Sequence, residues 1–236
     1  MKGMILAAGL GTRLRPLTDD RPKALVEIAG HTLLEIALSR LRCFGIREVI
    51  INIHHFADMI LDYLKKNDNF GMHIEVSREE VLLDTGGGLK KASWFLDEPF
   101  ILHNVDVIST IDLAGMARFH TQHSALATLA VQDRHTSRYL LFDEQLQLCG
   151  RQSGSGPTNT GQPLAFSGIH VISPRIFPLM EEEGIFSIIT SYLRLAAQGE
   201  KILAFRADDY YWRDLGKPEN IIQVARDLKE NVINLM

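Results

Sequence analysis

The stretch MILAAGLGTRLRPLTDDRPKAL, residues 4–25, constrains the chain more than any other. Met4 to Ala8 is apolar and reads as a buried strand. It stops in a turn where Gly9 and Gly11 sit two apart, and Arg13, Arg15 and Lys23 follow. A dinucleotide fingerprint needs a third glycine where Leu14 stands, and an acid at the end of the next strand. That strand, EVIINI at Glu48–Ile53, ends near Asn52 and His54 with no acid. A P-loop fails too, because no glycine precedes a Lys-Ser/Thr pair at the required spacing.

What remains is a loop with exposed backbone N–H groups and cations. Gly9 and Gly11 let backbone approach a ligand closely. Arg13 offers a planar fork for phosphate oxygens and Lys23 a point charge. Together they suit a triphosphate. Glycines alone would fit a structural turn equally well; the two cations at this spacing favour the ligand.

Downstream, strand and helix alternate. Leu25–Ile28 reads as a short strand. Thr32 and Glu35 form a capping-box pattern for a helix to about Phe44, with Gly45 as its C-terminal cap. Phe56–Lys66 has helical spacing and His73–Val76 reads as a strand. A glycine loop, Asp84 to Gly88, leads into a helix over Leu89–Leu96. Phe100–Leu102 is a strand, and a helix follows Asp112. The second half has strands at Ala125–Val131, Tyr139–Phe142, Leu164–Ile172, Ile202–Phe205 and Tyr210–Trp212. Helices are expected at Pro174–Met180, Ile188–Gln198 and Pro218–Asn231. Gly150–Pro163 is polar and glycine-rich and reads as a loop. The alternation predicts an α/β fold with a parallel sheet covered on both faces.

The 236 residues, 46% hydrophobic, suffice for a real core. A net charge of −4 lacks the basic footprint of a nucleic-acid binder. No apolar run approaches the roughly 20 residues of a membrane helix, and Met4–Ala8 is too short for a signal peptide. Cys43 and Cys149 form no CxxC pair and read as buried thiols of a reducing compartment. The expectation is a cytoplasmic protein without nucleic-acid or membrane partners. His54 and His55 would face opposite sides of a strand, so a shared metal ion is not expected.

The opening signature reads Leu6-Ala7-Ala8-Gly9, Gly11, Arg13, then Pro16 and Thr18, then Pro22-Lys23. It resembles that of the sugar-1-phosphate nucleotidyltransferases. The similarity continues at Asp84 to Gly88 (DTGGG), Asn104 to Asp106 (NVD), Phe166 to Gly168 (FSG) and Trp212 to Gly216 (WRDLG). Short, single-domain members look most similar. The resemblance implies a Rossmann-like, mixed and mainly parallel sheet of the nucleotide-diphospho-sugar transferase type. It implies one domain over 1–236, with 1–124 as the nucleotide half and 125–236 as the sugar half. No repeat at the C-terminus suggests a β-helix.

The resemblance also implies residue roles. Leu6, Ala7, Ala8, Gly9, Gly11, Thr12 and Arg13 would hold the nucleotide, with Thr85, Gly86 and Gly87 beside the base. Asn104, Phe166 and Gly168 would line the sugar side. Asp106 and Asp214 match the aspartates that hold one Mg²⁺, completed by phosphate oxygens and water. Arg13, Lys23 and Asp106 would be catalytic. The implied partners are a nucleoside triphosphate and a sugar-1-phosphate, and a homodimer is compatible with the sequence.

Two departures stand out. Val105 replaces the glycine usually found before the aspartate. The E-K-P-type motif usual before the Phe166 segment is missing around Gln162-Pro163, as in short uridylyltransferases. Phe186–Ile189 suits either a wall of the sugar pocket or a helix start. The expected reaction is transfer of a nucleotidyl group to a sugar-1-phosphate. Cytidylyl transfer to an alcohol phosphate such as phosphocholine, and an inactive nucleotide-sugar-binding regulator that Val105 would explain, remain alternatives.

Overall fold

The computed structural model describes residues 1–152 and 161–233. In chain order the strands are β1 (Lys2–Leu6), β2 (Glu27–Ile28), β3 (His31–Thr32), β4 (Glu48–Ile53), β5 (His73–Arg78), β6 (Phe100–Asn104) and β7 (Val107–Ser109). They continue as β8 (Ala127–Gln132), β9 (Tyr139–Phe142), β10 (Leu148–Arg151), β11 (Gln162–Ile172), β12 (Ile202–Arg206) and β13 (Trp212–Asp214). The helices are α1 (Leu33–Cys43), α2 (Ala57–Lys66), α3 (Asp84–Lys91), α4 (Leu113–His123), α5 (Ile188–Ala197) and α6 (Pro218–Lys229).

Among the described residues nine strands form one sheet, in the path β10-β9-β11-β6-β1-β4-β5, with β8 beside β11 and β12 beside β8. Pairings β1–β4, β1–β6, β4–β5 and β8–β12 are parallel. Strand β11 runs antiparallel to β6, β8 and β9. The sheet is therefore mixed, as expected. EVIINI is buried from Val49 onward because both of its faces are covered. Ile5, Val49 and Ile51 turn to a core shared with α1, α2, α4 and α6, while Met4 and Ile50 turn to one shared with α3 and α5. No helix among the described residues is long and apolar enough to cross a membrane.

Several expected boundaries move. Strand β1 ends at Leu6, so Ala7 and Ala8 belong to the loop; the Ala7 N–H turns away to donate to Asn52 Oδ1 at 2.8 Å. Thr32 caps α1 by accepting from Glu35 N at 3.1 Å, and Gly45 ends the turn beyond it at φ +81°. The capping box is only half made: the Glu35 carboxylate meets His31 Nδ1 and the Tyr63 hydroxyl instead. The three glycines of DTGGG lie inside α3 rather than in a loop before it. A Cβ on Gly86 would overlap the Phe186 ring, and one on Gly87 would overlap the Gly184 carbonyl. Close packing under residues 184–186 thus explains glycines in a helical turn.

Lys23–Leu25 and Pro174–Leu179 are 3₁₀ turns, the latter with Pro178 inside. Strand β13 begins at Trp212, two residues beyond Tyr210. Gly150 and Arg151 belong to β10, and Gln162 and Pro163 to β11, so strands border the expected loop more closely. Its centre, 153–160, lies outside the described residues. Cys43 and Cys149 are exposed, not buried, because neither side chain turns into the two cores. His54 and His55 follow the end of β4 rather than lying on it; His54 Nδ1 meets the Glu79 carbonyl and the His55 ring packs on Phe56.

Three histidines are buried inside these layers: His103, His120 and His170. Burial lowers His103 and His120 to about 4 and His170 to about 3. Each must stay neutral in the fold and charges readily in the unfolded chain near 6.5. Stability is therefore complete above about pH 6.5 and declines as pH falls toward 4, by on the order of 3 kcal/mol per histidine. Urea unfolding between pH 7 and pH 5, above the range where carboxylates titrate, should show a falling midpoint. A flat midpoint over that interval would refute the histidine account.

Candidate active site

Leu6 pairs with Asn52 on one side and with Asn104 on the other. Strands β1, β4 and β6 thus end at one level, and ligands of open α/β sheets bind beyond such carboxyl ends. A cleft of about 360 Å³ opens there. Of the residues expected at the site, Leu6, Ala8, Gly9, Lys23, Thr85, Asn104 and Asp106 line it. Val105, Asn52, Leu82, Asp84 and Ile185 line it as well.

The glycine loop is shaped by what surrounds it. A Cβ at Gly9 would meet nothing within 4 Å, so its face is open. Gly11 is different: its φ is +66°, and a Cβ would press on Thr18 Cγ2 at 3.0 Å. Thr18 Oγ1 donates to the Gly11 carbonyl at 2.9 Å and Leu14 N donates to the same carbonyl at 2.8 Å. These bonds close the turn Thr12–Leu14 that carries the exposed Thr12 and Arg13.

Lys23 is 9% exposed and its ammonium pairs with the Asp106 carboxylate across 83 residues of sequence. Asp106 stands in the turn between β6 and β7. Its carbonyl accepts from Leu215 N at 2.8 Å, and Asp214 faces Val107 in the β7–β13 pair. The two aspartates therefore ride on neighbouring backbone segments. Asp214 Oδ1 accepts from Gly216 N, and the Arg13 guanidinium lies against the same glycine, 2.6 Å from where its Cβ would stand. Arg13 and Asp214 thus flank one point at the rim, although neither lines the cleft itself.

On the base side, the expected donors are committed elsewhere. Gly86 N and Gly87 N both donate to the Phe186 carbonyl, and both residues are buried. Thr85 reaches the cleft, while its hydroxyl accepts from Ile188 N at 3.0 Å. Sequence reading missed the group that sets this wall. Glu79, 2% exposed, accepts from Asn52 Nδ2 at 2.7 Å and from Leu83 N at 2.9 Å. It ties the end of β4 to the entry of α3. A glutamate after a strand carries no sequence signal for such a tie.

On the side where the sugar is expected, β11 loses register between Phe166 and His170 opposite β8. Gly168 sits in that irregularity at φ +74°, and a Cβ on it would approach Asn104 Nδ2 to 2.8 Å. Irregular strands of this kind re-aim side chains beside active sites. The bend brings Gly168 against Asn104. Phe166 packs edge-on against His170, ring centroids 4.5 Å apart. Val105 is 5% exposed and packs in the core, with its N–H donating to the Leu6 carbonyl at 3.1 Å. Its side chain fills the floor where a glycine would leave room.

Comparison with known proteins gives this geometry a context. The chain is 34% identical over 249 residues to an N-acetylmuramate alpha-1-phosphate uridylyltransferase of Caulobacter vibrioides, covering 96% of each. It is 30% identical over 229 residues to a mannose-1-phosphate guanyltransferase of Yarrowia lipolytica, covering 94% of this chain but 62% of that one, less than two thirds of its length. The crystal structure of HddC from Yersinia pseudotuberculosis, complexed with GMP-PN, superposes with a TM-score of 0.79 at 23% identity, over 96% of this chain and 99% of that one. The profile described as nucleotidyl transferase matches residues 2–143, which hold the glycine loop, Lys23, the DTGGG helix and Asp106. The chain belongs to the nucleotidyl transferase family.

Proposed function

We propose that the chain transfers a nucleoside monophosphate from a nucleoside triphosphate to a sugar-1-phosphate, releasing pyrophosphate, with Mg²⁺ required. The observation that carries this reading is the partly buried Lys23–Asp106 pair beside the open face of Gly9, at the common end of β1, β4 and β6. The uridylyltransferase and guanyltransferase relatives support the class of reaction.

An oxygen of the sugar-1-phosphate attacks the α-phosphorus. The bond from that phosphorus to the bridging oxygen breaks, and pyrophosphate leaves with the electron pair. The nucleophile is already an anion, so no strong general base is needed. The task is to bring polyanions together, and positioning with electrostatics dominates it. Gly9 leaves the backbone accessible to the triphosphate. Arg13, on the turn that Gly11 closes, neutralises the departing pyrophosphate. Lys23 offers its ammonium to phosphate oxygens once they enter, and Asn104 with Gly168 orients the sugar.

Asp106 and Asp214 fit a hard, oxygen-seeking cation: two carboxylates on hydrogen-bonded neighbouring segments. When bound, Mg²⁺ would offset charge on the phosphate oxygens. These two residues would hold it.

The test pairs each nucleoside triphosphate with mannose-1-phosphate, glucose-1-phosphate, N-acetylmuramate-1-phosphate and phosphocholine, and reads pyrophosphate. Release with a sugar phosphate is expected; release with phosphocholine alone would replace the reading. Asp106→Asn should lower kcat by at least about 10²-fold, as loss of one preorganised stabiliser does elsewhere. Its melting temperature is to be compared with the parent, because Lys23 loses its partner. Near-parental turnover in a folded variant would remove Asp106 from the chemistry. Chelation by EDTA should abolish pyrophosphate release and added Mg²⁺ should restore it; turnover that persists in EDTA would exclude a divalent requirement.

A further inference from the structure

The cations assigned so far, Arg13 and Lys23, serve the triphosphate. The acceptor brings a second phosphate into the same cleft, and Asn104, Phe166 and Gly168 carry no charge to meet it. The segment between β8 and β9 supplies one. Arg134 stacks on the Trp212 ring, 3.6 Å from its centroid, and its Nη2 donates to the Phe166 carbonyl at 2.7 Å. Trp212 Nε1 donates in turn to the Ser167 carbonyl at 2.7 Å. The guanidinium is thereby held between the irregular part of β11 and the strand that ends in Asp214.

This cation is incompletely satisfied. Among the described residues it forms no ion pair with a carboxylate. Its Nε is enclosed without a hydrogen-bond partner, and so is the nearby strand's Ser167 Oγ. Burial pulls the guanidinium below its usual range, while the field of Asp214 acts in the opposite sense. Half-burying a guanidinium without a counter-charge costs free energy. A purely structural clamp on Trp212 would not need a charge. An arriving oxyanion supplies the missing partner, and a planar fork already fixed by stacking loses little entropy on binding it.

We propose that Arg134 binds the phosphate of the sugar-1-phosphate and so positions its attacking oxygen on the Asp214 side of the cleft. The proposal rests on the reaction proposed above. It gives the acceptor phosphate a basic residue in a chain whose sequence lacks the Lys of an E-K-P motif around Gln162-Pro163.

The experiment compares Arg134→Met and Arg134→Lys with the parent in steady-state kinetics on the best pair from the acceptor panel. Arg134→Met should raise the KM of the sugar-1-phosphate at least about 10-fold, the scale of one charge-assisted contact, and leave the KM of the triphosphate unchanged. Arg134→Lys, which keeps the charge, should recover part of that loss. Calorimetric binding of the triphosphate should be the same in all three proteins. An unchanged sugar-1-phosphate KM in Arg134→Met, with the parent active, overturns the role of Arg134 alone. So does a parallel rise of both KM values with a fall in melting temperature, which marks a structural clamp. A parent that binds no sugar-1-phosphate and releases no pyrophosphate overturns the reaction itself and the role with it.

Discussion

The register that sets Leu6 between Asn52 and Asn104 is the constraint on which the rest depends. Three parallel strands end together, and each end releases a different device. From β1 comes the glycine loop. From β4 comes Asn52, whose amide oxygen takes the Ala7 N–H while its amide nitrogen reaches Glu79. From β6 comes Asn104, then Val105 and Asp106. A slip of one residue would turn every one of these side chains to the other face. The apolar alternation of β1 and β4, divided between two separate cores, makes such a slip expensive.

Much of this was legible in the sequence, for identifiable reasons. EVIINI and YLLF emerged as strands with their observed bounds because burial on both faces leaves uninterrupted apolar runs. Thr32 and Gly45 marked the ends of α1 because cap chemistry is local. The cleft lining from Leu6 to Lys23 was legible because glycines and cations in one loop have few other uses. What was not legible depends on partners distant in sequence. The glycines of DTGGG look like a loop until the ring of Phe186, about a hundred positions away, is packed on them. The Glu79 tie and the Arg134 stack on Trp212 likewise join segments whose sequences carry no mark of each other.

The DTGGG helix illustrates how packing and recognition compete for the same atoms. Two N–H groups expected at a base edge are spent on the Phe186 carbonyl, in buried positions. Under the proposed reaction, base contacts on this wall would fall to Asp84 and Thr85, at the first turn of α3, and to Leu82 and Ile185, which line the cleft with them. Two of these four are apolar. A wall of that kind holds the flat face of a base by area, and distinguishes bases by the few polar groups left at its edge.

Charge gives the last link. The chain carries a net charge of −4, yet under the proposed reaction it gathers polyanions. It does so by placing cations where acids already stand: Lys23 on Asp106, Arg13 beside Gly216 and the Asp214 carboxylate, Arg134 in the field of Asp214. Without substrate Asp106 offsets the burial of Lys23, which would otherwise be costly. The balance shifts when phosphates enter, since each ammonium or guanidinium then has a stronger partner within reach. Asp106, so released, would be free to join Asp214 on the divalent cation proposed above. One set of charges can therefore stabilise the empty cleft and, rearranged, the filled one, and this requires only that Lys23 keep its long flexible stem. Arg134, fixed by its stack on Trp212, lacks that freedom; its position must be correct before the acceptor arrives.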